Sequence, residues 1–140
     1  KQEGGKVLTG GNAIKISGRC GTGWFVEPTI IAGLGNSCRT NQEEIFGPLV
    51  TLQSFQSENE AIQLANKTEY GLSATIWTED NEKANRVSVQ IDAGVIWVNC
   101  WLVRDLRTPF GGMKQSGLGR EGGEEALRFF TEPKNICTLV

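Results

Sequence analysis

Hydrophobic and polar positions along this chain follow two periods in turn, and the switches between them mark its elements. Lys6-Val7-Leu8-Thr9 reads as a short strand and Gly10-Gly11-Asn12 as the turn after it. Residues 25–31 form a β-branched run interrupted by Pro28, which cannot donate to a ladder, so an edge strand is expected there. Residues 49–55 alternate and predict a strand. Ser57-Glu58-Asn59-Glu60 then has capping-box spacing, with a hydroxyl and a carboxylate for the first free amides of a helix. Ala61, Ile62, Leu64 and Ala65 give that helix its apolar stripe, and it should end near Asn66. Tyr70-Gly71 turns the chain into a strand over residues 73–77. A second helix is expected from about Asp80, with Ala84, Val87 and Ile91 on one face. Val95-Ile96-Trp97-Val98 is wholly apolar, the pattern of a strand buried on both faces.

Strand, helix, strand, helix, strand predicts an α/β fold, a parallel sheet flanked by helices with right-handed crossovers. Residues 99–119 are too glycine-rich for regular structure and read as a long loop, which in a compact domain usually carries function. Residues 121–130 predict a helix with acidic residues in its first turn, where the macrodipole favours them. The tail over residues 135–140 reads as a strand with no later partner in the chain. It must pair back on an earlier strand or with another subunit.

Composition narrows the classes. The 140 residues suit one globular domain, and 39% hydrophobic with 21% charged residues suits a folded protein rather than a disordered one. No apolar run approaches the roughly 20 residues of a membrane span, and the N-terminus has no signal-peptide core. A net charge of -2 without a basic run argues against nucleic acid as a partner. Histidine is absent, which removes Ser-His-Asp triads, Cys-His dyads and histidine-bearing zinc sites, and no metal site is expected. Cys20, Cys38, Cys100 and Cys137 form no C-x-x-C pair and are expected as reduced, partly buried thiols of a cytoplasmic protein.

Two segments carry chemistry: Glu43-Glu44-Ile45-Phe46-Gly47-Pro48, and the glycine-rich run from Pro109-Phe110-Gly111-Gly112 through Gly117-Leu118-Gly119-Arg120-Glu121. Glycines ahead of a helix can cradle a phosphate. No strand leads directly into this run, however, and structural turns are the plainer reading. Taken whole, the two strings resemble the aldehyde dehydrogenase superfamily. Tyr70-Gly71-Leu72-Ser73-Ala74 and Gly94-Val95-Ile96-Trp97-Val98-Asn99 resemble the same family in the same order, so the likeness spans nearly the whole chain.

The resemblance implies the C-terminal part of the catalytic domain over residues 1–131 and an oligomerisation tail over residues 132–140, giving a homo-oligomer, dimer or tetramer. In that family a cysteine thiolate attacks the aldehyde, hydride passes to a nicotinamide, and a glutamate-activated water releases the acid. The nucleophile, the base glutamate and the Rossmann domain lie upstream of the region matched, so no catalytic residue is expected here. Cys100 stands at a strand-to-loop junction, outside the family's nucleophile context.

The resemblance also implies that Glu44 accepts from the nicotinamide ribose hydroxyls and that Phe46 packs beside the nicotinamide, with NAD as cofactor and NADP the alternative. The loop holding Leu102, Arg104, Arg107 and Phe110 would line the substrate entrance. Its Arg104-Asp105-Leu106-Arg107-Thr108-Pro109-Phe110 stretch is similar to the branch acting on muconic semialdehydes, where a guanidinium suits a carboxylate. The plain alternative pairs Arg104 with Asp105 or another loop acid. An acylating, CoA-dependent relative and a non-catalytic assembly module remain as other readings, and the chain alone is expected to be inactive.

Overall fold

The computed structural model describes residues 2–140; Lys1, at which the expected first domain begins, lies outside the described residues. Contacts divide the chain into two compact units, one ending at Lys67 and one running from Thr68 to Val140.

The first unit contains β1 (Lys6–Thr9), β2 (Ala13–Ile14), a 3-10 turn (Gly18–Cys20), β3 (Phe25–Val26), β4 (Thr29–Ala32), α1 (Arg39–Gln42), β5 (Leu49–Leu52) and α2 (Glu58–Asn66). Strand β4 is central, antiparallel to β1 and parallel to β5. The edge strand expected over residues 25–31 is therefore corrected. The run breaks at Glu27-Pro28 into β3, paired with β2, and β4, which is flanked on both sides. Proline ends one ladder because it lacks a donor, and the next amide, that of Thr29, begins the other by donating to the Pro48 carbonyl at 2.8 Å.

Alternation along β4 follows the strand period, burying Thr29 and Ile31 while Ile30 and Ala32 are half-buried. The buried Thr29 hydroxyl is satisfied, accepting from the Gly11 amide at 2.9 Å and donating to the Glu27 carbonyl at 2.7 Å. Gly10 has φ of +70°, and a Cβ there would lie 2.2 Å from the Pro28 carbonyl oxygen, so the turn after β1 requires glycine. Helix α2 forms as its sequence predicts. Ser57 Oγ accepts from the Glu60 amide at 3.2 Å, and Glu60 reaches back to the Gln56 amide at 2.7 Å. Ile62 carries the buried face of that helix, and Ile31 and Leu34 complete the unit's small core.

The second unit contains β6 (Tyr70–Gly71), β7 (Ser73–Ile76), α3 (Asn81–Ser88), β8 (Val95–Val98), β9 (Met113–Lys114) and α4 (Gly123–Phe130). Asp80 caps α3 by accepting from the Lys83 amide at 2.9 Å. Ala84 is buried, and Ile91 falls beyond the helix end. Strands β7 and β8 are parallel, in register from Ser73–Val95 to Ile76–Val98. The expected continuous parallel sheet is thus corrected to two parallel pairings, β4 with β5 and β7 with β8, alongside antiparallel ladders. Periodicity reveals which segments are strands but carries no label for their partners.

Four further expectations change. Strand β8 is not buried on both faces: Trp97 is buried, whereas Val98 is exposed. Tyr70-Gly71 is more than a turn, because it pairs as β6 with β9, inside the stretch read as an irregular loop. The last helix starts at Gly123, after Gly122 adopts φ of +90°, with Glu124 and Glu125 in its first turn. The tail over residues 135–140 forms no strand, and Ile136, Leu139 and Val140 are exposed. Among the described residues no helix is long and apolar enough to cross a membrane.

Candidate functional site

In the first unit the chemistry sits between α1 and β5. Helix α1 has only four residues and no cap from its own N-cap side chain. Glu3, far away in sequence, supplies it. Its carboxylate accepts from the Arg39 amide at 2.7 Å, from the Thr40 amide at 3.2 Å and from the Thr40 hydroxyl. The Thr40 hydroxyl is the main influence holding the Glu3 carboxyl below the usual carboxylate range; the two amides add to it, and desolvation opposes them. Arg39 Nε meets Glu43 at 2.7 Å, one turn on. The helix stops at Glu43, whose backbone is extended, and the next residues leave it exposed.

Glu44 lines a shallow hollow with Glu3, Thr40 and Ile45, and no hydrogen bond or ion pair among the described residues engages its carboxylate. Phe46 has φ of +51° and its side chain is 93% exposed. A left-handed phenylalanine with a bare ring is uncommon, and such outliers concentrate at functional positions. An acceptor-only group and an open aromatic face two residues apart are a chemically sensible set for a sugar diol and a planar ring. The residues expected to hold a nicotinamide nucleoside therefore fit one.

In the second unit the loop after β8 is tied down at several points. Asn99, at φ of +51°, turns the chain, its side chain accepting from the Thr78 amide at 2.9 Å and donating to the Thr78 carbonyl at 2.8 Å. Trp97 Nε1 donates to the Val103 carbonyl at 2.8 Å. Leu102 has φ of +57° and is exposed, presenting its side chain outward. Phe110 and Glu121 exchange both backbone hydrogen bonds, each at 2.7 Å. Gly94 approaches Gly111 so closely that a Cβ on Gly94 would lie 1.6 Å from the Gly111 carbonyl oxygen.

The two arginines of this loop differ. Arg104 pairs with Glu121, Nη2 to Oε1 at 2.7 Å, and its guanidinium carbon stands 4.1 Å from the Phe110 ring centroid. Its neighbour Asp105 instead takes Arg107, which donates through Nε at 2.9 Å and through Nη2 at 2.5 Å. Arg107 and its own backbone amide hold the Asp105 carboxyl below the usual range. A depressed folded value means that the unfolded chain binds the proton more readily. This pairing's contribution to stability is thus present above about pH 4, the ordinary aspartate value, and is lost as pH falls through the folded value. Acid titration followed by tryptophan emission should show that loss in the native chain, and Asp105→Asn should lack it.

The glycine-rich run is braced rather than open. Gln115 donates its amide to the Glu69 carbonyl at 2.9 Å, Ser116 Oγ accepts from the Gly71 amide at 2.9 Å, and Arg120 Nη1 binds the Gly112 and Gly119 carbonyls. Structural turns describe it, with these groups satisfied inside the chain. Sequence reasoning missed Glu3 as the brace of α1 and Glu121 as the partner of Arg104. Both are long-range contacts, 36 and 17 residues apart, with no local signal beyond an unassigned acid. Cys20, Cys38 and Cys100 are half-buried free thiols and Cys137 is an exposed one; none touches either set of candidate residues in a recorded hydrogen bond.

Residues 1–136 match the sequence pattern described as the aldehyde dehydrogenase family. A 2-hydroxymuconic semialdehyde dehydrogenase of Pseudomonas sp. (strain CF600) is 52% identical over 135 residues, covering 96% of this chain and 28% of that relative. A 2-aminomuconic 6-semialdehyde dehydrogenase of Pseudomonas sp is 49% identical over 140 residues, covering 100% of this chain and 28% of that relative. Among solved structures, indole-3-acetaldehyde dehydrogenase of P. syringae in complex with NAD+ and IAA has a TM-score of 0.86 at 42% identity, covering 94% of this chain and 26% of that one. The chain therefore spans little more than a quarter of the length of these relatives.

Proposed function

The chain belongs to the aldehyde dehydrogenase family, and from that premise we propose that it is the C-terminal part of the catalytic domain of an NAD-dependent enzyme oxidising a carboxylated, muconic-type semialdehyde to the acid. The observation that carries the substrate class is Arg104, held over the Phe110 ring with a single ionic hydrogen bond among the described residues. A guanidinium has five donors, so the rest of its edge is available to grip a carboxylate.

The cofactor, when bound, accepts the hydride that leaves the substrate carbon. Glu44 would accept from both ribose hydroxyls of the bound cofactor, and Phe46 would limit the swing of its nicotinamide. Leu102 and Phe110 wall the substrate entrance, and Arg107, whose fork is occupied by Asp105, acts chiefly by keeping the loop in shape. The nucleophilic thiol and the general base belong to other parts of the longer enzyme. This chain alone is accordingly inactive, and an aldehyde assay with NAD on it should show no turnover.

Glu44→Gln in the full-length enzyme tests the cofactor assignment. Losing one charged acceptor should weaken NAD binding by about tenfold, with slower hydride transfer, since a hydrogen bond to a charged group contributes about 1.5–3 kcal/mol. Unchanged affinity and rate would remove the assignment.

The tail over residues 132–140 is assigned to the subunit interface. Its exposed Ile136, Leu139 and Val140, together with the absence of any paired strand over residues 135–140, support pairing with a second copy rather than folding back. Deleting residues 133–140 from the full-length enzyme should lower its assembly state in a sedimentation or light-scattering measurement. An unchanged size would return the tail to its own subunit.

A further inference from the structure

Arg104 takes its orientation from two neighbours. An arginine on an irregular loop has many rotamers, and Arg107 already engages both oxygens of Asp105, the nearest acid. Two contacts select the rotamer that Arg104 takes. The Phe110 ring lies under the guanidinium, 4.1 Å from Cζ to centroid, and Glu121 Oε1 takes Nη2 at 2.7 Å. Both anchors are mechanically one piece, because Phe110 and Glu121 are joined by their reciprocal backbone hydrogen bonds.

The Glu121 contact is also single. Arg107 commits two donors to its carboxylate, whereas Arg104 commits only Nη2. With the side chains of Arg104 and Glu121 41% and 56% exposed, the pair contributes little to stability. Its effect is directional: it fixes one corner of a planar fork over an aromatic face and leaves the other donors uncommitted.

Resting on the reading of Arg104 as the carboxylate-binding group, we propose that Glu121 is a positioning residue for substrate selection. It holds the Arg104 guanidinium over the Phe110 ring, so that the enzyme's preference for carboxylated aldehydes depends on the Glu121 side chain as well as on Arg104.

The test is the ratio of kcat/KM for 2-hydroxymuconic semialdehyde to kcat/KM for propanal, measured in the full-length enzyme; effects common to both substrates cancel in it. Glu121→Ala should lower the ratio about five- to tenfold, through KM for the carboxylated substrate. Glu121→Asp, which withdraws the oxygens by one methylene, should lower it as well and serves if the alanine variant is insoluble. Glu121→Gln, whose amide oxygen can still accept from Nη2, should retain most of it. In an Arg104→Ala background, Glu121→Ala should change the ratio no further. A ratio unaffected by Glu121→Ala and Glu121→Asp while Arg104→Ala lowers it would overturn the role of Glu121 alone. A ratio unaffected by Arg104→Ala would remove the reading beneath it.

Discussion

Arg104→Ala in the full-length enzyme is expected to raise KM for a carboxylated muconic-type semialdehyde by roughly 10- to 100-fold and to leave KM for a neutral aldehyde within about twofold. The size follows from the interaction removed. A charge-assisted hydrogen bond contributes about 1.5–3 kcal/mol, a two-pronged one lies toward the upper end, and each 1.4 kcal/mol is a factor of ten. Truncation should cost little structure. Arg104 is partly exposed, its Glu121 partner is more exposed still, and the backbone pairing of Phe110 with Glu121 does not use either side chain. Arg107→Ala should move KM much less, because the Arg107 donors that face Asp105 are already in use. Steady-state kinetics on the two aldehydes decide the matter, and equal changes on both would sink the assignment of Arg104.

The second large effect concerns backbone rather than charge. Gly94→Ala would place a methyl carbon 1.6 Å from the Gly111 carbonyl oxygen and 2.8 Å from the Gly111 carbonyl carbon. These are main-chain atoms, so no rotamer change relieves the overlap, and either β8 or the substrate loop must shift. A loss of about 3 kcal/mol or more is expected, at the severe end of overpacking. Poor soluble yield or a clearly lowered thermal midpoint would show it. Gly35→Ala is the control, since nothing lies within 4 Å of the Cβ it would add and its φ is ordinary. If both variants melt together, the close approach does not matter as described.

Those two sites also show what the amino-acid order could reveal. Features specified within a few residues were legible: the Ser57–Glu60 cap, the Asp80 helix start and the ends of α2 were read directly, because each depends on local donors and acceptors. Partnership was not. The strand after Pro28 was read as an edge and is central, since alternation reports burial on a face and is silent about how many neighbours flank a strand. Met113–Lys114 hid inside a glycine-rich run, where two residues of ladder leave no periodic signal. The tail forms no strand within this chain, because β propensity acts only beside a ladder.

The candidate site divides in the same way. Glu44 and Phe46 are candidates through the family likeness of their hexapeptide, and the structure adds the left-handed backbone of Phe46, which a sequence does not encode visibly. For Arg104 the sequence leaves two options open, a substrate carboxylate or pairing with Asp105 or another loop acid. Asp105 was the nearest acid, and the fold delivers Glu121 instead, 17 residues on, through a two-residue bridge.

The β6–β9 ladder has a consequence for how the molecule comes into being. Gln115 and Glu69, which meet through both backbone and side chain, are 46 residues apart in sequence. Closing so long a stretch is entropically slow compared with winding α3 or pairing β7 with β8. The β6–β9 ladder therefore sets late, after α3 and the β7–β8 pair have formed. A newly made chain passes through an interval in which β7 and β8 are paired while β6 and β9 are still apart, and pulse-labelled hydrogen exchange would see the Gln115 amide gain protection after the amides of α3.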